Sequence, residues 1–172
     1  MRIVVNQCPQ AQLNLVGEIR DESYAQSVRE AISRLGLETH VSILGTRPDV
    51  PEILAASDIG VLSSSSEGLP LALIEYGMAG LGVVCTRVGE CPRVLRDGQL
   101  GLLVPPSDPQ ALAAALLDLL NHPEKRSQLG NDLAENVRRE YSPDERISQL
   151  VDFYRKILAY RAERGGKRVK AR

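Results

Sequence analysis

The sequence has no tryptophan and a single phenylalanine, with five tyrosines. That absence argues against a stacking platform for single-stranded nucleic acid, which needs several exposed aromatic rings. It also means the core must be built from Leu, Val, Ile and Ala. Cysteine is scarce: Cys8, Cys85 and Cys91 are an odd number with no CxxC spacing, so neither a disulfide framework nor a zinc knuckle is indicated. Charge of one sign is also missing. Lys plus Arg total 21 and Asp plus Glu total 22, a net charge of -1 that lacks the basic excess of most nucleic-acid-binding domains. No uncharged apolar run reaches the roughly 18 residues of a membrane span. The opening MRIVVNQCPQ has no long apolar signal-peptide core. The expectation is a cytoplasmic domain with no membrane span and no nucleic-acid partner.

What is present is a normal globular balance, with 43% hydrophobic and 25% charged residues in a 172-residue chain. Short aliphatic runs recur at Leu13–Val16, Val41–Leu44, Ile59–Leu62, Val83–Cys85 and Leu102–Val104, each beside turn residues. Such runs suit buried parallel strands. Helical patterns fill the gaps. Asp21 caps one that ends near Leu35-Gly36, and a short one follows Pro51. Leu71–Ala79 stops at Gly80, and Asp108-Pro109 opens one that runs through Leu120. Pro123 opens another, and Ser142-Pro143 a last one through Tyr160. Alternation of this kind predicts an α/β fold, a Rossmann-like doubly wound parallel sheet with C-terminal helices. The expected domain is 1–160, followed by a tail at 161–172 with six basic residues and one acid, which reads as a solvated end.

Residues 59–80, IGVLSSSSEGLPLALIEYGMAG, carry the chemistry. A strand ends in small polar residues, and Glu67-Gly68-Leu69-Pro70 turns directly into a helix, with Pro70 suited to its first turn. Gly68 permits close approach of a ligand to the backbone. The free N–H groups and dipole at the helix start favour a phosphate. Ligands of open α/β sheets sit beyond the carboxyl ends of strands, where this turn lies. Glu67 and Glu75 are eight residues apart, at most roughly 12 Å along a helix axis. That spacing suits the two ends of an extended ligand, whose hydroxyls carboxylates bind well. The spacing alone proves nothing, since Glu22–Glu30 and Glu30–Glu38 share it among thirteen glutamates. On composition the pair reads as surface charge, and only the strand–loop–helix setting distinguishes it. Ser63–Ser66 reads equally as polar loop or ligand lining. His40 and His122 read as structural, Cys85 and Cys91 as small buried fillers, and Asp58 as a backbone partner.

The ordered succession of LNLVGE, VSILGTRPDVPEILAASDIGVLSSSSEGLPLALIEYGMAG and GVVCTRVGECPRVLRDGQLGLLVPPSDPQALAAAL resembles the retaining glycosyltransferases of family 4, also called glycosyl transferases group 1, which have the GT-B fold. The resemblance runs from about Leu13 to Tyr154, and the succession is far more specific than any one motif. It implies half of a GT-B fold, the C-terminal domain that binds the donor. Glu67 would bond the donor sugar and Glu75 the ribose hydroxyls. The backbone around Gly68, Leu69, Pro70 and Leu71 would hold sugar and diphosphate, and the Gly45-Thr46 turn would lie near the base. The implied reaction moves a hexose from a UDP-, GDP- or ADP-hexose to an acceptor hydroxyl with retention. The implied cofactor is none. GT-B enzymes manage without a metal at the diphosphate, and no Asp-x-Asp pair is present here. The alternative is a non-catalytic nucleotide-sugar-binding or assembly module, with a nucleotide-sugar epimerase as a further reading.

Members also carry an N-terminal acceptor domain, and a strand and helix bearing an Arg and a Lys ahead of the LxLVG strand. Neither has a counterpart here, and Arg93 stands where members commonly have Glu. Catalysis by this chain alone is therefore not expected; the alternatives are a solitary half that binds donor and a half that pairs with a separate acceptor-domain chain. In a sheet ordered 3-2-1-4-5-6 the unmatched strand is the central one. Ile3-Val4-Val5 is expected to fill it in part or antiparallel, because Asn6–Gln12 is too short for a parallel crossover. The other possibility is a chain excised from a longer protein.

Overall fold

The computed structural model describes residues 1–141, 147, 150–158 and 160. The last expected helix, opening at Ser142-Pro143, begins outside the described residues, as does the basic tail at 161–172. The chain divides into two units, 1–134 and 135–172. The second contains the end of the seventh helix and helical residues at 150–158.

The strands are β1 (Leu13–Val16), β2 (Val41–Gly45), β3 (Ile59–Leu62), β4 (Gly82–Thr86) and β5 (Leu102–Val104). The helices are α1 (Arg2–Gln7), α2 (Glu22–Arg34), α3 (Val50–Ala55), α4 (Leu71–Met78), α5 (Cys91–Val94), α6 (Pro109–Asn121) and α7 (Pro123–Tyr141). A single 3-10 turn, Arg96–Gly98, lies between α5 and β5. Among the described residues all strand pairs are parallel. Local chemistry accounts for the helix ends. The Asp21 carboxylate accepts the Tyr24 amide at 3.1 Å, and Gly36 takes a positive φ of 60° just past the end of α2. The Asp108 carboxylate accepts the Ala111 amide at 2.8 Å, with Pro109 opening α6.

The strands form two sheets, β1-β2 and β3-β4-β5, and β1 does not pair with β3. The two groups are those expected on either side of the central position, and the expected filler is not there. Ile3–Val5 is helix, not strand. Val4 and Cys8, one turn apart, pack together with Ala113 and Leu117 of α6. Apolar residues at i and i+4 bury one face of a helix, a periodicity no strand shares. The unpaired edges are tolerable because β1 contains no buried residue and β3 only Gly60, so their free N–H and C=O groups are not sealed in a dry core.

The second sheet is the core. All five residues of β4 are buried. Val84 and Val104 pack on Leu119 of α6. On α4, Tyr76 lies against Gly60 of β3, where any Cβ would collide with the ring. The Tyr76 hydroxyl donates to the Val61 carbonyl at 3.1 Å. Arg126 of α7 lays its stem over Gly82 and pairs with Asp58 at 3.1 Å. These contacts fix α4, and with it the loop that precedes it.

Candidate functional site

Glu67 lies in the loop between β3 and α4, half-buried, and accepts the Ser64 hydroxyl on Oε1 at 2.6 Å. Gly68 is exposed, and its carbonyl accepts the Glu90 amide at 3.4 Å. The Pro70 side chain is fully buried. Pro70 is the N-cap of α4, one position earlier than its expected place in the first helical turn, and no side chain caps the helix. The Leu73 amide is bonded to the Pro70 carbonyl at 3.0 Å, which leaves the Leu71 and Ala72 N–H groups for an anion at the positive end of the helix dipole. Leu69 and Leu71 are 54% and 62% exposed, an apolar rim beside those amides. Glu75 is also exposed, one turn into α4.

Burial, and then the neighbouring Glu75 carboxylate, pushes the Tyr76 phenol above its ordinary value. Tyr76 therefore stays a proton donor to Val61. Burial pushes the Cys85 thiol well up, with Cys91 and then Glu67 adding to the effect. Both cysteines are fully buried. Cys85 is a packed thiol rather than a nucleophile, since only the thiolate reacts.

Gly45 ends β2 with a φ of 64°, and its carbonyl accepts the Gly17 amide at 2.9 Å. Thr46 is exposed. Arg47 grips Asp49 with two bonds, Nε to Oδ1 at 2.7 Å and Nη2 to Oδ2 at 2.6 Å, which braces the turn. Arg93 spends its charge on Glu90 at 3.0 Å. Among the described residues no three His, Cys, Asp or Glu side chains gather as a metal cluster would. A shallow depression of about 440 Å³ lies beside β5, lined by Arg87, Asp97, Leu103 and Asp118 among others. It includes none of the sequence-predicted residues.

The structure adds residues that sequence reasoning missed. Thr86, at the end of β4, is 4% exposed, and its hydroxyl donates to the Ser64 carbonyl at 2.6 Å. Gly89 has a φ of 48°, and a Cβ there would fall on the Glu67 carbonyl oxygen. The available signals were weak. They were a hydroxyl ending an otherwise apolar strand, and a glycine in a loop.

The geometry is therefore a helix start with no side-chain cap, preceded in the chain by a carboxylate held by a hydroxyl and followed one turn later by an exposed one, after the carboxyl end of a parallel strand. It can take an extended anionic ligand that carries hydroxyls on both sides of its charge. Known proteins match the chain in sequence and in fold. The family model for glycosyl transferases group 1 matches residues 1–122. The N-acetyl-alpha-D-glucosaminyl L-malate synthase of Bacillus anthracis is 31% identical over 157 residues, covering 91% of this chain and 40% of that protein. Thus the chain spans about two-fifths of that relative's length. Anabaena HepE, solved in complex with UDP-glucose, has the same fold, with a TM-score of 0.81 at 23% identity over 91% of this chain and 45% of that one. The C-terminal domain of a Francisella tularensis glycosyl transferase group 1 family protein superposes with a TM-score of 0.74 at 24% identity. That match covers 83% of this chain and 75% of that one.

Proposed function

The chain belongs to the glycosyl transferases group 1 family, and from that premise we propose that it is the nucleotide-sugar-binding half of a retaining GT-B hexosyltransferase. The donor is a nucleoside-diphosphate hexose. Its diphosphate lies on the backbone of Gly68–Leu71 and the N-terminus of α4. Glu67 bonds the sugar and Glu75 the ribose, while the Gly45-Thr46 turn borders the base. The observation that carries this reading is the uncapped start of α4, flanked by a held carboxylate at Glu67 and an exposed one at Glu75. Helix amides and the dipole offset the diphosphate charge, and carboxylates accept from hydroxyls. The buried Pro70 acts through the backbone path it sets, not through its ring.

Transfer breaks the bond between the anomeric carbon and the diphosphate and forms one to the acceptor oxygen, with the configuration kept. The acceptor proton leaves with the diphosphate. Charge grows on the diphosphate as that bond breaks, and cations there would contribute strongly. No such cation is assigned among the described residues at this site. An acceptor domain would supply the acceptor cleft. The edges of β1 and β3 are each paired on one side only, so each could accept a further strand.

Calorimetric titration of the chain with UDP-, GDP- and ADP-hexoses tests the donor site, with Glu75→Ala as control. Saturable binding of one of them, weakened about tenfold by the substitution, is expected for loss of charged hydrogen bonds to a ribose. A cooperatively melting chain that binds none of them would contradict the proposal.

A further inference from the structure

We infer that Thr86 is a positioning residue for the Glu67 carboxylate, and so sets how well the site tells a nucleotide sugar from the bare nucleotide. The role rests on the donor-site reading, in which Glu67 faces the sugar. Apart from Thr86, every residue of β4 is Gly, Val or Cys, and all five are buried. A hydroxyl in that setting is unfavourable unless it is bonded, and valine would fill the same volume without the penalty. The Thr86 hydroxyl is bonded. It donates to the Ser64 carbonyl at 2.6 Å, and the Leu62 carbonyl lies 3.4 Å from the same oxygen. Ser64 in turn donates its own hydroxyl to Glu67 Oε1 at 2.6 Å. Two short hydrogen bonds in series thus run from the most buried strand to the carboxylate.

The loop is also held from the other side. Gly89 gives the Glu67 carbonyl the space a Cβ would take, and the Glu90 amide reaches the Gly68 carbonyl at 3.4 Å. A glutamate side chain left free must be ordered when ligand binds, at a loss of entropy. One held beforehand has already met that loss. A carboxylate offers about four acceptor sites. Bonding to Ser64 uses one, and the others remain for sugar hydroxyls.

Free energy gained this way is felt only by a ligand that carries the sugar. The test compares UDP-, GDP- and ADP-glucose with the matching nucleoside diphosphates, by calorimetry on the whole chain. In Thr86→Val the affinity for the tightest-binding nucleotide glucose should fall about tenfold, as for loss of one good hydrogen bond. Affinity for its nucleoside diphosphate should change less than about twofold. Thr86→Ser should restore the difference. Equal losses for both ligands, or no loss for either, in a variant that melts like the parent would overturn the inference. Ser64→Ala removes the last bond alone at a half-buried loop position. It serves if Thr86→Val does not fold, and it should show the same sugar-selective loss; an unselective result overturns the inference. Glu75→Ala separates the two levels, because it should weaken both ligands. If it weakens neither, or the parent binds no ligand, the donor-site reading falls and takes this one with it.

Discussion

β1 and β4 are both short aliphatic strands in parallel sheets, yet every residue of β4 is buried and none of β1 is. The contrast extends to their helices. α2 contributes no buried residue, while α4 and α6 bury Leu73, Ile74, Leu117 and Leu119. The β3-β4-β5 half has a closed core, and the carboxylate that faces the sugar in our proposal is anchored to it through Thr86 and Ser64. The β1-β2 half is a two-stranded pair that carries the Gly45-Thr46 turn. A site that must hold a sugar rigidly and admit a base at an open turn would divide its labour in this way, since geometry is more exact on packed elements.

The comparison can be broken most severely at the core. Leu119→Ala should lower stability by about 2–5 kcal/mol, as for a fully buried leucine, whereas Leu15→Ala on β1 should lower it by about 1 kcal/mol or less. Denaturant midpoints of the two variants measure the gap, and equal losses would mean the halves are equally packed. Gly89→Ala is expected next. The strained backbone and the displaced Glu67 carbonyl together should destabilise by about 1–3 kcal/mol, and nucleotide-sugar affinity should fall with it. An unshifted melt and unchanged titration would show that the loop is not clamped there.

These two sites differ in how legible they were. The five strands were readable as aliphatic runs because buried parallel strands have little else in them. The caps at Asp21 and Asp108 were equally plain, since their bonds are local. Ile3–Val5 reads as a strand in the sequence but is helix, because a three-residue aliphatic run has no period of its own; the partner that decides it, α6, lies about a hundred residues on. The Val4–Cys8 spacing was the one helical hint. Glu67, Gly68 and Glu75 stood out through their strand–loop–helix setting. Thr86 and Gly89 did not, because their importance comes from contacts some twenty residues back along the chain, and no spacing rule reports a contact with a neighbour's carbonyl oxygen.

The helix caps sharpen the comparison more gently. Asp108→Ala removes the bond to the Ala111 amide at the start of α6 and should cost about 1 kcal/mol, visible as a lower denaturant midpoint. The smallest effect lies in the open half. The Ser23 hydroxyl and then the Tyr24 amide hold the Asp21 carboxyl below its ordinary value. A carboxyl depressed on folding stabilises at pH above its unfolded value, about 4, and that support is lost as pH falls through the lower folded value. The melting temperature of the parent should therefore exceed that of Asp21→Asn by a small constant margin above about pH 5, and the two should converge in stronger acid. A margin that persists at the lowest pH would mean the charge is not what caps α2.

The most direct test of the donor site is residue-resolved amide hydrogen exchange, with and without the nucleotide glucose that binds best. Ligand should slow exchange at Gly68, Leu71 and Ala72 and at Gly45-Thr46, and leave the depression lined by Arg87, Asp97 and Asp118 unchanged. Protection confined to that depression, with the start of α4 unaffected, would contradict the account.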